Sequence, residues 1–344
     1  MSDRYRLYGV LASPYAAKLR ALLRYRHIPF DWMPASFDWA PDFQLVRPEL
    51  AEVKPRIVPI LWYPHDQSFH TDSTFIALDL EQLHPGHRSV VPADPGLAFL
   101  SNLIDDFGDE WGVKIAFQYR WGNESDRNAT NRLVMGELLG GGVAQATIAH
   151  AANQFRDRQI SRMPLVGATP QNAPVIEATY ARVLDAMSRL REAQSYLFGS
   201  RPSLGDFGLF GALFTCRNDP TPAEIMRRSS PGTLDWIYAL DEASGVQGEW
   251  LPDAAALPAG VIDLLRVIGD AYLPFLVANA AAVERGEPTV RVELLGRSYS
   301  QGAFRYQAKC LRWLRDEWRG LDGAARERVE PVLRATGCLA ALQP

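Results

Sequence analysis

Three short groups of residues in the first part of the sequence could do chemistry. Ser13 stands at a small-residue turn before a helical pattern, Val58 and Pro59 lie in an apolar run, and Asp72 with Ser73 precedes another helical pattern. A helix N-terminus carries unpaired N–H groups and a partial positive charge, so Ser13 stands where an anion could be stabilised. A cis bond before Pro59 would turn the Val58 N–H and C=O toward a peptide-like ligand, as in strand addition.

Each group also has a purely structural interpretation. Ser13 and Asp72 are both good helix N-cap residues, and Pro59 is compatible with the edge of a sheet. The three groups follow one another in chain order, each on an element that would present it at a strand or helix end. This joint arrangement favours a binding site over three unrelated structural features.

The element before Ser13 and the two after it form a βαβ unit. Residues 5–10 are predicted as a strand, a helix follows the turn, and residues 28–33 are predicted as a second strand. One short crossover between two strands predicts that they pair in parallel. On the helix between them, Tyr15 falls on the apolar face, whereas Lys18 and Arg20 fall on the opposite one.

The next elements carry the second and third groups. Residues 57–63 form an apolar run in which Pro59 must lie at the start or edge of a strand, because proline cannot donate to a sheet ladder. A brief strand is predicted at 68–70. Asp72 then caps a helix over Ser73–Leu83, which ends at a proline-glycine pair.

A linker at residues 91–96 separates this mixed region from a long stretch that is predicted to be helical. The first helix, over 98–119, is rich in aromatic residues, and 176–190 carries the clearest amphipathic stripe. Residues 290–295 are predicted as a small strand or an extended link. Further helices are predicted at 204–216, 233–243, 259–284 and 301–319.

The order and context of the three groups resemble the glutathione transferase superfamily. The resemblance implies that Ser13 faces the glutathione sulfur, that Val58 and a cis Pro59 present a backbone edge to the tripeptide, and that Asp72 and Ser73 hold its γ-glutamyl end. A thiol attacks only as the thiolate, so a donor at the sulfur would favour the reactive form.

The resemblance also concerns the other end of glutathione and the helical region. Family members often carry a basic residue close before the cis proline to meet the glycyl carboxylate, and the nearest candidates here are Arg56 and Lys54. Residues 196–206 resemble the capping motif of the family's helical domain. Within that motif, Ser203 and Asp206 form a capping-box pattern, which has a structural role.

The fold implied by the resemblance has two domains. Residues 1–88 would form an α/β thioredoxin-like, glutathione-binding domain, and residues 97–344 a large all-α domain. The resemblance is absent beyond about residue 230, so the last part is a non-standard extension. It further implies a homodimer, and the three separated cysteines fit a reducing compartment, the cytoplasm.

The pocket for a second substrate is expected between the two domains. The aromatic helix at the start of the second domain would line it through Trp111 and Tyr119, with Tyr15 contributed by the first domain. Such a lining suits an apolar or aromatic small-molecule electrophile. The alternative is that Trp111 and Tyr119 pack against the C-terminal extension and that Tyr15 belongs to the core.

Composition excludes several other classes of function. The chain of 344 residues has a net charge of −4, without the basic surface that a nucleic-acid-binding protein needs. Its three cysteines are far apart and form no CxxC pair, which argues against a disulfide framework or a zinc site. We expect no bound metal, no signal peptide and no membrane-spanning segment.

The leading prediction is a transferase that activates the glutathione thiol and adds it to an electrophile, with glutathione as the co-substrate. Two alternatives remain open. One is a non-catalytic binding or interaction protein built on the same fold, and the other is glutathione-dependent ether cleavage or isomerisation. The fold alone does not separate them, because function resides in the site.

Overall fold

The computed structural model describes residues 4–35, 47–55, 57–139 and 144–343. Its N-terminal part contains a four-stranded sheet in the order β2-β1-β3-β4. The strands are β1 (Tyr5–Gly9), β2 (Phe30–Pro34), β3 (Ile60–Trp62) and β4 (Phe69–Thr71). The β1–β2 pair is parallel, which confirms the predicted crossover, and the other two pairs are antiparallel.

Two helices of this domain begin at the predicted residues. Helix α1 (Pro14–Tyr25) is capped by Ser13, whose side chain accepts a hydrogen bond from the Ala16 N–H. Helix α2 (Ser73–Leu83) is capped by Asp72. Pro59 directly precedes β3, so it removes no donor from the sheet ladder.

The helical region begins with two helices where one was expected. The helix predicted over 98–119 is divided at Trp111 into α3 (Pro95–Glu110) and α4 (Gly112–Gly122). The following helices are α5 (Glu124–Leu139), α6 (Gln145–Arg162), α7 (Ala173–Ala193), α8 (Leu204–Asn218), α9 (Pro220–Ser229) and α10 (Pro231–Asp241). Ser203 and Asp206 form the predicted capping box at the start of α8.

The C-terminal part is mostly helical rather than all-helical. It contains the antiparallel hairpin β5 (Thr289–Leu294) and β6 (Arg297–Gly302). Of the segment predicted at 290–295, residues 290–294 are therefore a strand, and Leu295 begins the turn. Leu295 and Gly296 both have positive φ, as a two-residue hairpin turn requires. The helices are α11 (Ala259–Val267), α12 (Leu273–Glu284), α13 (Arg305–Gly320), α14 (Gly323–Ala335) and α15 (Leu339–Leu342).

Helix α1 is buried on both of its faces. Lys18 and Arg20 lie on the face opposite the apolar one, yet they are only 0% and 8% exposed. Helical periodicity predicts one buried apolar face. In the structure the charged face is buried as well, because Lys18 and Arg20 form ion pairs with acidic residues of α3 and α10. Within the described ranges, no helix combines the length and hydrophobicity needed to cross a membrane.

Candidate functional site

A cavity of about 480 Å³ lies between the end of the sheet that carries Pro59 and the helical region. Five of its lining residues come from the first domain's predicted site: Tyr15, Val58, Pro59, Asp72 and Ser73. The opposite wall comes from the end of α3, the start of α4 and the start of α13. Its volume falls in the range of about 300–1,000 Å³ that is typical of small-molecule sites.

Val58 brings its backbone to the edge of this cavity. The Val58–Pro59 bond is cis, as predicted. Val58 lies outside β3, and no hydrogen bond among the described residues occupies its N–H or C=O. A peptide ligand could therefore pair with this backbone edge.

Asp72 is held at the cavity by contacts on both of its carboxylate oxygens. Its φ of 77° is unusual for a residue other than glycine, and its Oδ1 accepts hydrogen bonds from the Thr74 N–H at 3.2 Å and the Phe75 N–H at 3.4 Å. Its Oδ2 accepts a hydrogen bond of 2.8 Å from the hydroxyl of Tyr306. Ser73 begins α2 directly beside it, so the partial positive charge of a helix N-terminus also faces the cavity.

Ser13 lies at the start of α1 but does not line this cavity. Its hydroxyl caps the helix at 3.3 Å from the Ala16 nitrogen. The turn before it is covered by helical-domain side chains, because Glu137 accepts the Leu11 N–H at 2.6 Å and Arg120 donates to the Ala12 carbonyl at 2.7 Å.

Tyr15, two residues beyond Ser13, does line the cavity. Its hydroxyl donates to the Asp109 carbonyl at 3.0 Å. Arg56, expected at the glycyl end of glutathione, lies outside the described residues. Among the described side chains of α1, Tyr15 is therefore the hydroxyl that reaches the cavity.

Trp111 and Tyr119, expected in the second pocket, lie instead in the helical core. Trp111 is fully buried and packs against Tyr272, Phe275 and Tyr299 of the C-terminal part. Tyr119 packs edge-on against Tyr180 at 5.3 Å between ring centres. Neither residue lines the cavity.

The mouth of the cavity is apolar through other residues. Ile57, Leu165 and Phe304 line it and are 58%, 68% and 49% exposed. Large exposed apolar side chains gathered around one opening mark a binding surface more often than scattered ones do. No local sequence pattern marks Leu165 or Phe304 as cavity residues, because both lie far from the first domain in the chain.

Behind the cavity lies a buried cluster of charged residues that was not predicted from the sequence. The Lys18 ammonium lies 2.6 Å from Asp105 Oδ1 and 2.7 Å from Asp109 Oδ2, and it donates to the Thr74 hydroxyl at 2.9 Å. Asp105 and Asp109 are four residues apart on α3, so they share a helix face, which was the available signal. Burial lowers the pKa of Lys18, but the two carboxylates outweigh it and raise that pKa overall.

Glu110 is the cavity residue with the most perturbed carboxyl group. Burial, followed by the neighbouring charge of Asp106, raises the pKa of Glu110 to about 8. Near neutral pH, the wall formed by the end of α3 is therefore less negative than its carboxyl count implies, which makes it compatible with a bound anion.

This architecture defines the class of protein. A four-stranded α/β domain with a cis proline before its third strand is joined to a helical region, and a cavity lies between them. Residues 7–88 match the family model "Glutathione S-transferase, N-terminal domain", and residues 144–238 match "Glutathione S-transferase, C-terminal domain". The two matches together cover just over half of the chain, which belongs to the glutathione transferase superfamily.

Solved structures with a similar fold include two from bacteria and one from a plant. A glutathione S-transferase from Methylobacterium radiotolerans, in complex with glutathione sulfonate, is 18% identical, with 72% of this chain and 96% of that one covered at a TM-score of 0.43. The β-etherase LigF from Sphingobium is 18% identical, with coverages of 69% and 94% and a TM-score of 0.47. A tau-class glutathione S-transferase from mango is 12% identical, with coverages of 70% and 89% and a TM-score of 0.41. No curated protein sequence matches the chain.

Proposed function

We propose that this protein binds glutathione in the 480 Å³ cavity and activates its thiol for attack on an apolar or aromatic electrophile. The observation that carries the proposal is the convergence of Val58, Pro59, Asp72 and Ser73 on this cavity, below an apolar mouth. The same residues would serve a non-catalytic glutathione-binding protein equally well, so turnover needs its own test.

Each part of glutathione has a complementary group. The N–H and C=O of Val58 would pair with the cysteinyl backbone, and the N-terminus of α2 at Ser73 would accept the γ-glutamyl carboxylate. Asp72 would bind the ammonium of the same γ-glutamyl group through a charge-assisted hydrogen bond. The thiol would then lie toward the start of α1.

Two hydroxyl groups are candidates for the sulfur contact. Ser13 is the residue implied by the family resemblance, and Tyr15 is the one that lines the cavity. Burial raises the pKa of Tyr15 far above its ordinary value, so its hydroxyl stays neutral. Its single proton is donated to the Asp109 carbonyl and would have to turn to the sulfur when glutathione binds. Either contact would stabilise the charged sulfur, and proximity to the second substrate would supply most of the rate increase.

Glutathione-dependent ether cleavage is a second candidate, favoured by Glu110. In that reaction the thiolate attacks the carbon of a C–O bond, the bond breaks, and the departing oxygen needs a proton. Glu110 lines the cavity and holds its proton near neutral pH, because burial raises its pKa to about 8. A protonated carboxylic acid in an apolar cavity can supply that proton.

A homodimer in the cytoplasm is also part of the proposal. The dimer is supported by the family resemblance, and the cytoplasm by the three free cysteines. The proposed partners are therefore glutathione, a small electrophile and a second copy of the chain, with no metal, nucleic acid or membrane.

Glutathione binding is tested by titration calorimetry with Asp72→Ala. Wild type is expected to bind at millimolar glutathione or below, and the variant to bind about tenfold more weakly, because the ammonium loses its charged partner. Asp322→Ala is the matched control, since Asp322 also caps a helix through its Oδ1 but lies on α14. If wild type shows no binding heat at millimolar glutathione, the proposal fails for both enzyme and binder.

Turnover is tested by comparing Ser13→Ala and Tyr15→Phe with a panel of apolar electrophiles. The variant that removes the sulfur contact is expected to lower kcat/KM by about 10- to 100-fold, because it weakens thiolate stabilisation. The pKa of bound glutathione, followed by thiolate absorbance against pH, should rise in the same variant. Wild type with no rate above the uncatalysed reaction would instead favour a non-catalytic binding protein.

A further inference from the structure

The part of the chain beyond both family matches forms a wall of the cavity. The C-terminal family match ends at residue 238, whereas Phe304, Tyr306 and Gln307 line the cavity. These three residues surround the start of α13, directly after the β5–β6 hairpin. The extension is therefore packed against the proposed glutathione site.

The start of α13 is fixed by a pair of reciprocal hydrogen bonds to α12. The Asn279 amide group donates to the Phe304 carbonyl at 2.9 Å and accepts from the Phe304 N–H at 2.8 Å. Asn279 is fully buried, so it has no access to water as an alternative partner. This pair fixes the direction in which α13 begins and hence the position of Tyr306.

Tyr306 contacts the one oxygen of Asp72 that the helix cap does not use. Asp72 Oδ1 is committed to the N–H groups of α2, and Oδ2 accepts the Tyr306 hydroxyl at 2.8 Å. Both side chains line the cavity. Burial, followed by the charge of Asp72, raises the pKa of Tyr306, so the hydroxyl stays protonated and remains the donor in this contact.

We propose that Tyr306 is a positioning residue of the glutathione site: it orients the Asp72 carboxylate toward the γ-glutamyl ammonium, so the C-terminal extension completes the site. The inference rests on the proposed function. A carboxylate oxygen accepts more than one hydrogen bond, so Oδ2 can hold both the hydroxyl and an ammonium. The opposite relation would be competition, in which glutathione must displace the hydroxyl from Asp72.

The test is titration calorimetry of Tyr306→Phe with two ligands. One is glutathione, and the other is glutaryl-cysteinylglycine, which lacks the α-amino group of the γ-glutamyl residue. The variant is expected to weaken glutathione binding about five- to tenfold, because a hydrogen bond to a charged group is lost. It should leave binding of the analogue unchanged, since that ligand has no ammonium for Asp72 to meet.

Two further variants separate positioning from a general loosening of the site. Adding Tyr306→Phe to Asp72→Asn should cause no additional loss of glutathione affinity if the hydroxyl acts through Asp72. Tyr238→Phe serves as the control, because Tyr238 is 61% exposed and contacts Arg217 outside the cavity. Thermal unfolding of each variant verifies that it is folded. If Tyr306→Phe fails to fold, Asp72→Asn alone is compared with wild type. A loss of affinity for glutathione but not for the analogue then supports the contact between Asp72 and the ammonium, on which the inference depends.

The possible outcomes distinguish a wrong inference about Tyr306 from a wrong proposed function. Equal affinity of wild type and Tyr306→Phe for glutathione, tighter binding by the variant, or equal weakening of both ligands would each overturn the inference. Each of these results is obtained with a wild-type protein that binds glutathione, so none of them contradicts the proposed function. If wild type binds neither ligand, the proposed function itself is wrong.

Discussion

Lys18→Met is expected to lower the free energy of unfolding by about 3–5 kcal/mol, because it leaves two buried carboxylates without their counterion. Lys18 and Asp105 are fully buried, and Asp109 is nearly so. Their attraction only offsets the cost of burial while all partners are present. The loss is measured by chemical denaturation monitored by tryptophan fluorescence.

Two further variants test whether the loss of stability comes from the unpaired carboxylates. Lys309→Met makes the same chemical change at an exposed lysine of α13 and should alter the free energy of unfolding by less than about 0.5 kcal/mol. Neutralising the carboxylates as well, in Lys18→Met with Asp105→Asn and Asp109→Asn, should restore part of the loss. A single variant as stable as wild type would show that the cluster is already neutral without Lys18.

Glu110→Gln is expected to stabilise the protein at alkaline pH and to leave it unchanged at acidic pH. Burial raises the pKa of Glu110 from 4.5 to about 8, so between these values the folded state keeps a proton that the unfolded state releases. Wild-type stability therefore falls as pH rises from about 4.5 to 8. Glutamine mimics the neutral form and removes this decline, which is worth up to about 5 kcal/mol above pH 8.

The measurement is the free energy of unfolding of both proteins at intervals from pH 4 to 9. Glu327→Gln is the control, because Glu327 is exposed on α14 and the substitution makes the same charge change. Parallel curves for wild type and Glu110→Gln would mean that Glu110 is ionised throughout this range. In that case the ether-cleavage candidate would lose its proton donor.

The position of α13 changes how the C-terminal extension is understood. Trp111 packs against residues of this extension, and Tyr306 brings the same region to Asp72. The extension therefore takes part in both the core of the helical region and the wall of the cavity. Its removal would expose a large apolar surface as well as open the site, so single substitutions are the more informative experiments.

Local sequence signals determined the first domain closely. The helix starts at Pro14 and Ser73 and the parallel β1–β2 pair were predicted from local patterns and are observed. The cis bond before Pro59, which the family resemblance implied, is also observed. Capping and strand periodicity act over a few residues, so they can be derived from the sequence without knowledge of the fold. The capping box of α8 was predictable for the same reason.

Only the tertiary structure decided which residues share the cavity. Lys18 is buried although it lies opposite the apolar face of α1. Trp111 lies in the core, which is one of the two places that the sequence allowed for it. Tyr306 reaches Asp72 across 234 positions of sequence. Such contacts depend on how whole helices pack, which no local pattern encodes. The sequence by itself determined where the ligand-facing helix and strand ends occur, and long-range packing determined what stands opposite them.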